Sequence, residues 1–282
     1  IYSVGLAKEI TLDDIARDMA GYDVLFFGEE HNDSAAHYLE AAMLEAMYRQ
    51  YGTAVTLSLE MFDRDVQFIV NEYLADAIRE KNFTRDARAW KNYRDYRPMV
   101  EFVKTNHLQL ICANAPTRYT NLAGRKGQSA LTELPVESKQ YFAPLPYDTA
   151  EGKYYEKLMA VTHDSPAPVD TTKKQPVMPN TTAFSMVMGQ SLWDATMAHS
   201  ISRYLEEHPE MKIFQVNGRF HSDERFAVVT QLKKYSPNAK VLVISCGPDD
   251  SFTTGNIDWN KFTSLGDYII ITDPKLPKTF DE

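Results

Sequence analysis

Six short apolar runs, each closed by glycine or a polar residue and separated from the next by helical periodicity, constrain what this chain can fold into. They are Val24 to Phe27, Val55 to Leu59, Leu108 to Ala113, Lys212 to Val216, Val241 to Ser245 and Tyr268 to Thr272. Between them lie stretches near Ser34 to Gln50, Asp65 to Glu80, Pro98 to Asn106, Phe184 to Glu207 and Asp223 to Lys234 with helical spacing of apolar residues. Strands that alternate with helices build crossover units, so the pattern predicts an α/β fold with a largely parallel sheet flanked by helices. At 282 residues, 44% of them hydrophobic, the chain can bury a sizeable core.

One region interrupts the rhythm. No strand is evident from Leu122 to Asn180, and residues His163 to Asn180 carry four prolines, which reads as a loop. Tyr154, Leu158 and Val161 keep helical spacing, so a helix is expected near Ala150 to Val161. Ordinary connections are only a handful of residues long. The expected organisation is therefore an α/β core from 1–121 and 181–282, with an inserted helical flap over the sheet edge at 122–180.

The formal net charge of −9 argues against a general affinity for nucleic acid or anionic lipid. No apolar stretch approaches the roughly 18 residues of a membrane span. The start at Ile1 suits a chain trimmed of a signal peptide or anchor. Cys112 and Cys246 both sit in apolar runs without a CxxC partner, which predicts two unpaired buried thiols.

In open α/β sheets ligands bind at the carboxyl ends of the strands. The residues there are Gly28-Glu29-Glu30-His31, Glu60-Met61-Phe62-Asp63, Asn114-Ala115-Pro116 and Asn217-Gly218-Arg219-Phe220-His221. Histidine nitrogens and carboxylate oxygens can together hold a divalent metal or share a proton as acid and base. Glu29, His31, Glu60 and His221 are thus the candidates, and the Gly-x-x-His that recurs after two strands sharpens the choice. The bland alternative is that the glutamates bond strand-end amides and the histidines merely open helices. His37, within the first helix, is read as facing elsewhere. Asp194 shares a stripe with Gln190, Trp193 and Met197 and, if buried, would want a partner. Arg118, Tyr119, Arg125 and Lys126 form a basic cluster able to clamp carboxylates or phosphates, or to lie in solvent.

In order along the chain, GEEH (Gly28 to His31), LSLEMFD (Leu57 to Asp63), ANAPTRY (Ala113 to Tyr119), QSLWDATMA (Gln190 to Ala198) and NGRFH (Asn217 to His221) resemble the ChaN-like haem-binding family. That family shares a superfamily with Tiki-like proteins and erythromycin esterases. The resemblance implies an exported, often lipid-anchored bacterial protein, periplasmic or at the outer membrane. It also implies a haem ligand, a homodimer, tyrosine ligation of the iron and service to an outer-membrane uptake system. Ferric haem does accept tyrosinate as an axial ligand. Matched to the family pattern, Tyr154 is the first candidate ligand, Tyr155 the second and His163 an assistant, with Arg118 and Arg125 for the propionates. Arg219 and Phe220 are bulky where many relatives carry small residues, so an inward Arg219 would favour an anionic ligand. The competing expectation is a Tiki-like metal-dependent hydrolase, with Glu29, His31 and His221 around a divalent ion and Glu29 or Glu60 in catalysis. No HExxH motif is present.

Overall fold

Strand and helix succeed one another in the computed structural model as the apolar runs require. It describes residues 1–163 and 181–281, and of 161–163 and 181 the backbone alone. Two short strands, β1 (Tyr2–Ser3) and β2 (Lys8–Glu9), and helix α1 (Leu12–Asp18) precede β3 (Val24–Glu29) and α2 (Ser34–Tyr51). Next come β4 (Val55–Asp63), α3 (Gln67–Leu74), α4 (Glu80–Asp86), α5 (Tyr93–Thr105) and β5 (Gln109–Asn114). After β5 come α6 (Thr117–Lys126), which crosses the expected boundary at 122, the one-turn helices α7 (Ser129–Thr132) and α8 (Val136–Lys139), and α9 (Gly152–His163). The chain closes with α10 (Thr181–Glu207), β6 (Lys212–Gly218), α11 (Ala227–Tyr235), β7 (Val241–Pro248), α12 (Ser251–Thr254) and β8 (Tyr268–Thr272).

One eight-stranded sheet runs β2-β1-β8-β7-β3-β6-β4-β5. β3 to β8 are parallel, whereas β1 and β2 add an antiparallel margin against β8. The period of two places Leu25, Phe27, Leu57, Leu59 and Phe214 in one core with α1 to α5. Val24, Phe26, Ile213 and Val243 face the other way and pack on Met197, Ile201, Val228 and Leu232 of α10 and α11. Cys112 and Cys246 are free and buried. No described helix is long and apolar enough to cross a membrane.

Two expected helices take a different form. The helix expected over 65–80 runs only from Gln67 to Leu74 as α3 and stops before Asp76, which adopts φ 59°, a left-handed turn that aspartate tolerates without glycine, and α4 starts at Glu80. α5 begins at Tyr93, so Pro98 lies inside it rather than opening it. From 122 to 163 the described chain holds no strand, and its helices are interrupted by the irregular stretch 140–151. The apolar side chains Tyr119, Leu131, Phe142 and Tyr147 share a core with Leu192 and Ala195 of α10. The proline-rich loop expected at His163 to Asn180 lies outside the described residues, apart from the backbone of His163 itself, which ends α9.

Candidate functional site

Glu29 ends β3 fully buried, and its two oxygens meet different neighbours. Oε1 accepts from His31 Nδ1 at 2.8 Å and from the Tyr96 hydroxyl at 2.7 Å. Oε2 lies 3.1 Å from His37 Nδ1 yet has no hydrogen-bond partner. His37 comes from the first turns of α2, whose start is set by Asp33 accepting from the Ala35 amide at 2.9 Å. Its Nε2 is 3.1 Å from the His31 carbonyl, which can only accept, so Nε2 carries a proton. Glu40 stands one turn further on, its Oε2 3.3 Å from His37 Nδ1 and its Oε1 unpartnered. Burial would raise the Glu29 carboxyl, but the hydrogen bond from His31 and the close approach of His37 and Glu40 overcome it and hold the group well below the usual carboxylate range. Glu40 moves the opposite way, pushed up by burial and by the Glu29 charge.

Across the switch point, where β3 meets β6, a second chain of polar groups begins at Glu60 of β4. The pairing of β4 with β5 shifts register between Leu59 and Asp63, an irregularity that re-aims strand-end side chains. Glu60 Oε2 accepts the Gly218 amide at 2.8 Å, and Oε1 lies 3.5 Å from His221 Nε2. His221 Nδ1 donates to Asp194 Oδ1 at 2.6 Å, and the Tyr154 hydroxyl donates to Asp194 Oδ2 at 2.7 Å. Burial lowers the His221 pKa, but the charges of Glu60 and Asp194 prevail and carry it to about 9. The two glycines of the repeated motif permit this crowding. A Cβ on Gly28 would stand 2.7 Å from Ser222 Oγ and 2.8 Å from the Arg219 Cα, and one on Gly218 would stand 2.7 Å from His31 Nε2.

A cleft of about 390 Å³ opens over Glu29, His31, Gly218, Arg219 and Phe220. Arg219 does face it, but its charge is matched by Asp223 at 2.8 Å and Glu30 at 3.4 Å. From the insertion, α9 turns Tyr154 inward to Asp194 and leaves Tyr155 exposed at 43%. Burial and the Asp194 charge push the Tyr154 phenol well up. Arg118 is taken by Asp65 at 2.5 Å and by the Tyr119 hydroxyl. Arg125 bonds Asn121 at 2.9 Å and sits at the lip of a second, larger cleft of about 960 Å³ between α6 and α10, walled by Phe184, Met186 and Trp193. The His163 side chain lies outside the described residues.

No curated protein matches the chain in sequence. A family model described as haem-binding uptake, Tiki superfamily, ChaN, matches residues 15–232. The chain belongs to that family. Among solved structures it is similar to ChaN of Campylobacter jejuni, described with cofacial haem binding, at TM-score 0.68 and 15% identity over 95% of this chain and 94% of that one. An erythromycin esterase variant in its open conformation aligns at TM-score 0.48 and 10% identity, over 85% of this chain and 74% of that one. A type III effector aligns at TM-score 0.45 and 13% identity, over 93% of each. At such identities the likeness to the Campylobacter protein is one of fold.

Within this ChaN-like chain, the structure brings Glu29 to His31 and Glu60 to His221, as the strand ends imply. Among the described residues, Glu29, His31 and His221 do not each bring a ligand atom within 4.8 Å of the other two. Among the described residues, the histidine and acidic ligand atoms that converge within 4.8 Å belong to Glu29, His37 and Glu40. Sequence reasoning set His37 aside because it sits six residues from His31, and α2 turns it back beneath the strand end. The spacing His37-x-x-Glu40, one turn of one helix face, was the available signal. Tyr96 carried none, because Pro98 suggested a helix that starts after it.

Proposed function

We propose that this chain binds haem as cargo, with Tyr155 of the inserted helix as the iron ligand. The observation that carries the reading is the family match over 15–232, together with an exposed phenol on the segment where the resemblance placed the ligand. Ferric iron takes tyrosinate. Tyr154, the first candidate by pattern, spends its hydroxyl on Asp194 and is held far from ionisation, so Tyr155 is the better donor. The cleft between α6 and α10, lined by residues of those two helices and not of α9, falls within the roughly 300–1,000 Å³ usual for ligand pockets and is a second place to probe. Arg125 at its lip offers a guanidinium for a propionate, whereas Arg118 is already paired. A haem held from an exposed helix leaves one face open, which fits the pairing of two copies and the cofacial arrangement of the Campylobacter protein. The same reading expects an exported, lipid-anchored protein that passes haem to an outer-membrane system, a point that cell fractionation addresses.

Titration with hemin should give a saturable Soret shift in the parent protein. Tyr155→Phe should weaken it at least tenfold, Arg125→Ala severalfold and Tyr154→Phe little. Absence of any saturable site in the parent, in monomeric and dimeric fractions alike, would refute the reading.

A second reading, hydrolytic turnover, is favoured by one observation. Asp194 fixes the His221 ring with Nε2 toward Glu60, an arrangement suited to general acid and base work. Its test is ester or peptide hydrolysis lost on His221→Ala.

A further inference from the structure

We infer that Glu29, His37 and Glu40 form an internal site for one divalent transition-metal cation, beneath the sheet edge and separate from the haem cargo. His37 Nε2 donates its proton to the His31 carbonyl, so a metal ion that displaces the other ring proton meets the lone pair of Nδ1. That lone pair faces Glu29 Oε2 at 3.1 Å and Glu40 Oε2 at 3.3 Å. Three possible ligand atoms lie within 4.8 Å of one another, in residues at most 6% exposed, around a point that a positive charge, proton or metal ion, has to occupy.

The distances suit a metal ion. Bonds of about 2.0–2.2 Å to nitrogen and oxygen place adjacent ligands roughly 3.0–3.5 Å apart, whether the shell is octahedral or tetrahedral. The spacings from Nδ1 to the two carboxylates fall inside that range. Each ligand is also held from behind, as ligands usually are. The His37 ring is anchored on the His31 carbonyl at 3.1 Å. Glu29 takes both its donors, His31 and Tyr96, on Oε1, so that Oε2 is left for another partner. One imidazole with two carboxylates suits Mn²⁺, Fe²⁺ or Zn²⁺ better than the soft ions that prefer thiolate. The alternative occupant is a proton, shared between Glu40 and His37.

The test uses the full chain, free of haem, stripped with chelator, re-equilibrated with Mn²⁺ or Zn²⁺ and desalted before elemental analysis. One equivalent should stay with the parent and with His221→Ala, and fall at least tenfold in Glu40→Gln, whose folding is checked by circular dichroism. Mn²⁺ held by the parent labelled with ¹⁵N-histidine should show one directly bound histidine nitrogen by pulsed EPR, a measurement that needs no variant. No metal retained by the parent would leave the shared proton and overturn the site. Metal lost from His221→Ala but kept by Glu40→Gln, or two bound histidine nitrogens, would place it at the outer edge and overturn it equally. Hemin titration is a separate readout, so failure of one reading leaves the other standing.

Discussion

Glu29 and Asp194 are both buried carboxylates, and each accepts from a histidine Nδ1 and a tyrosine hydroxyl. For Glu29 the donors are His31 at 2.8 Å and Tyr96 at 2.7 Å; for Asp194 they are His221 at 2.6 Å and Tyr154 at 2.7 Å. The difference lies in how the oxygens are shared. Asp194 gives one oxygen to each donor and is complete, whereas Glu29 receives both donors on Oε1 and turns Oε2 to His37 and Glu40. The same residue types therefore make one closed link, joining the insertion to the sheet edge, and one open corner.

The largest effect should come from removing the closed link. Asp194→Ala leaves a buried histidine and a buried phenol without their partner, and should cost about 3 kcal/mol in urea unfolding. An unchanged midpoint would show that Asp194 is not complete in the way its geometry states.

A smaller effect is the pH dependence of the same link. The folded His221 pKa of about 9 lies above the ordinary 6.5, so the stability that His221 contributes is present below pH 6.5 and is lost as pH rises toward 9. Asp194→Asn should flatten that part of the stability profile. A profile that steepens instead would contradict the assignment.

The smallest effect discriminates most finely. Tyr154→Phe leaves Asp194 Oδ2 with no donor and should cost about 1–2 kcal/mol, whereas Tyr96→Phe leaves Oε1 still bonded to His31 and should cost about half as much. Equal costs would erase the distinction between the two carboxylates.

Much of the architecture was legible because a parallel sheet buried on both faces writes itself as short apolar runs, and all six of those runs became strands. The loop edge was legible through its punctuation, since Gly28 and Gly218 mark places where a side chain would collide. What remained hidden depends on helix phase. His37 and Glu40 lie one turn apart on α2, and whether that face looks at Glu29 follows from the angle at which α2 leaves β3, which no local pattern encodes. Tyr96 was masked by a proline tolerated inside α5. The division of α3 from α4 turned on a left-handed aspartate, Asp76, with no glycine to announce it. The margin of β1 and β2 is too short for periodicity to register, at two residues each.

Tyr154 and Tyr155 occupy one turn of α9, and successive residues on a helix point about 100° apart. One phenol is accordingly tied to Asp194 inside while its neighbour meets the solvent. Both phenols ride one stiff turn, so the buried one fixes the direction in which the exposed one points. The posture of His221 is set by that same carboxylate. The turn that bears the exposed phenol is thus tied through one carboxylate to the ring of a buried histidine.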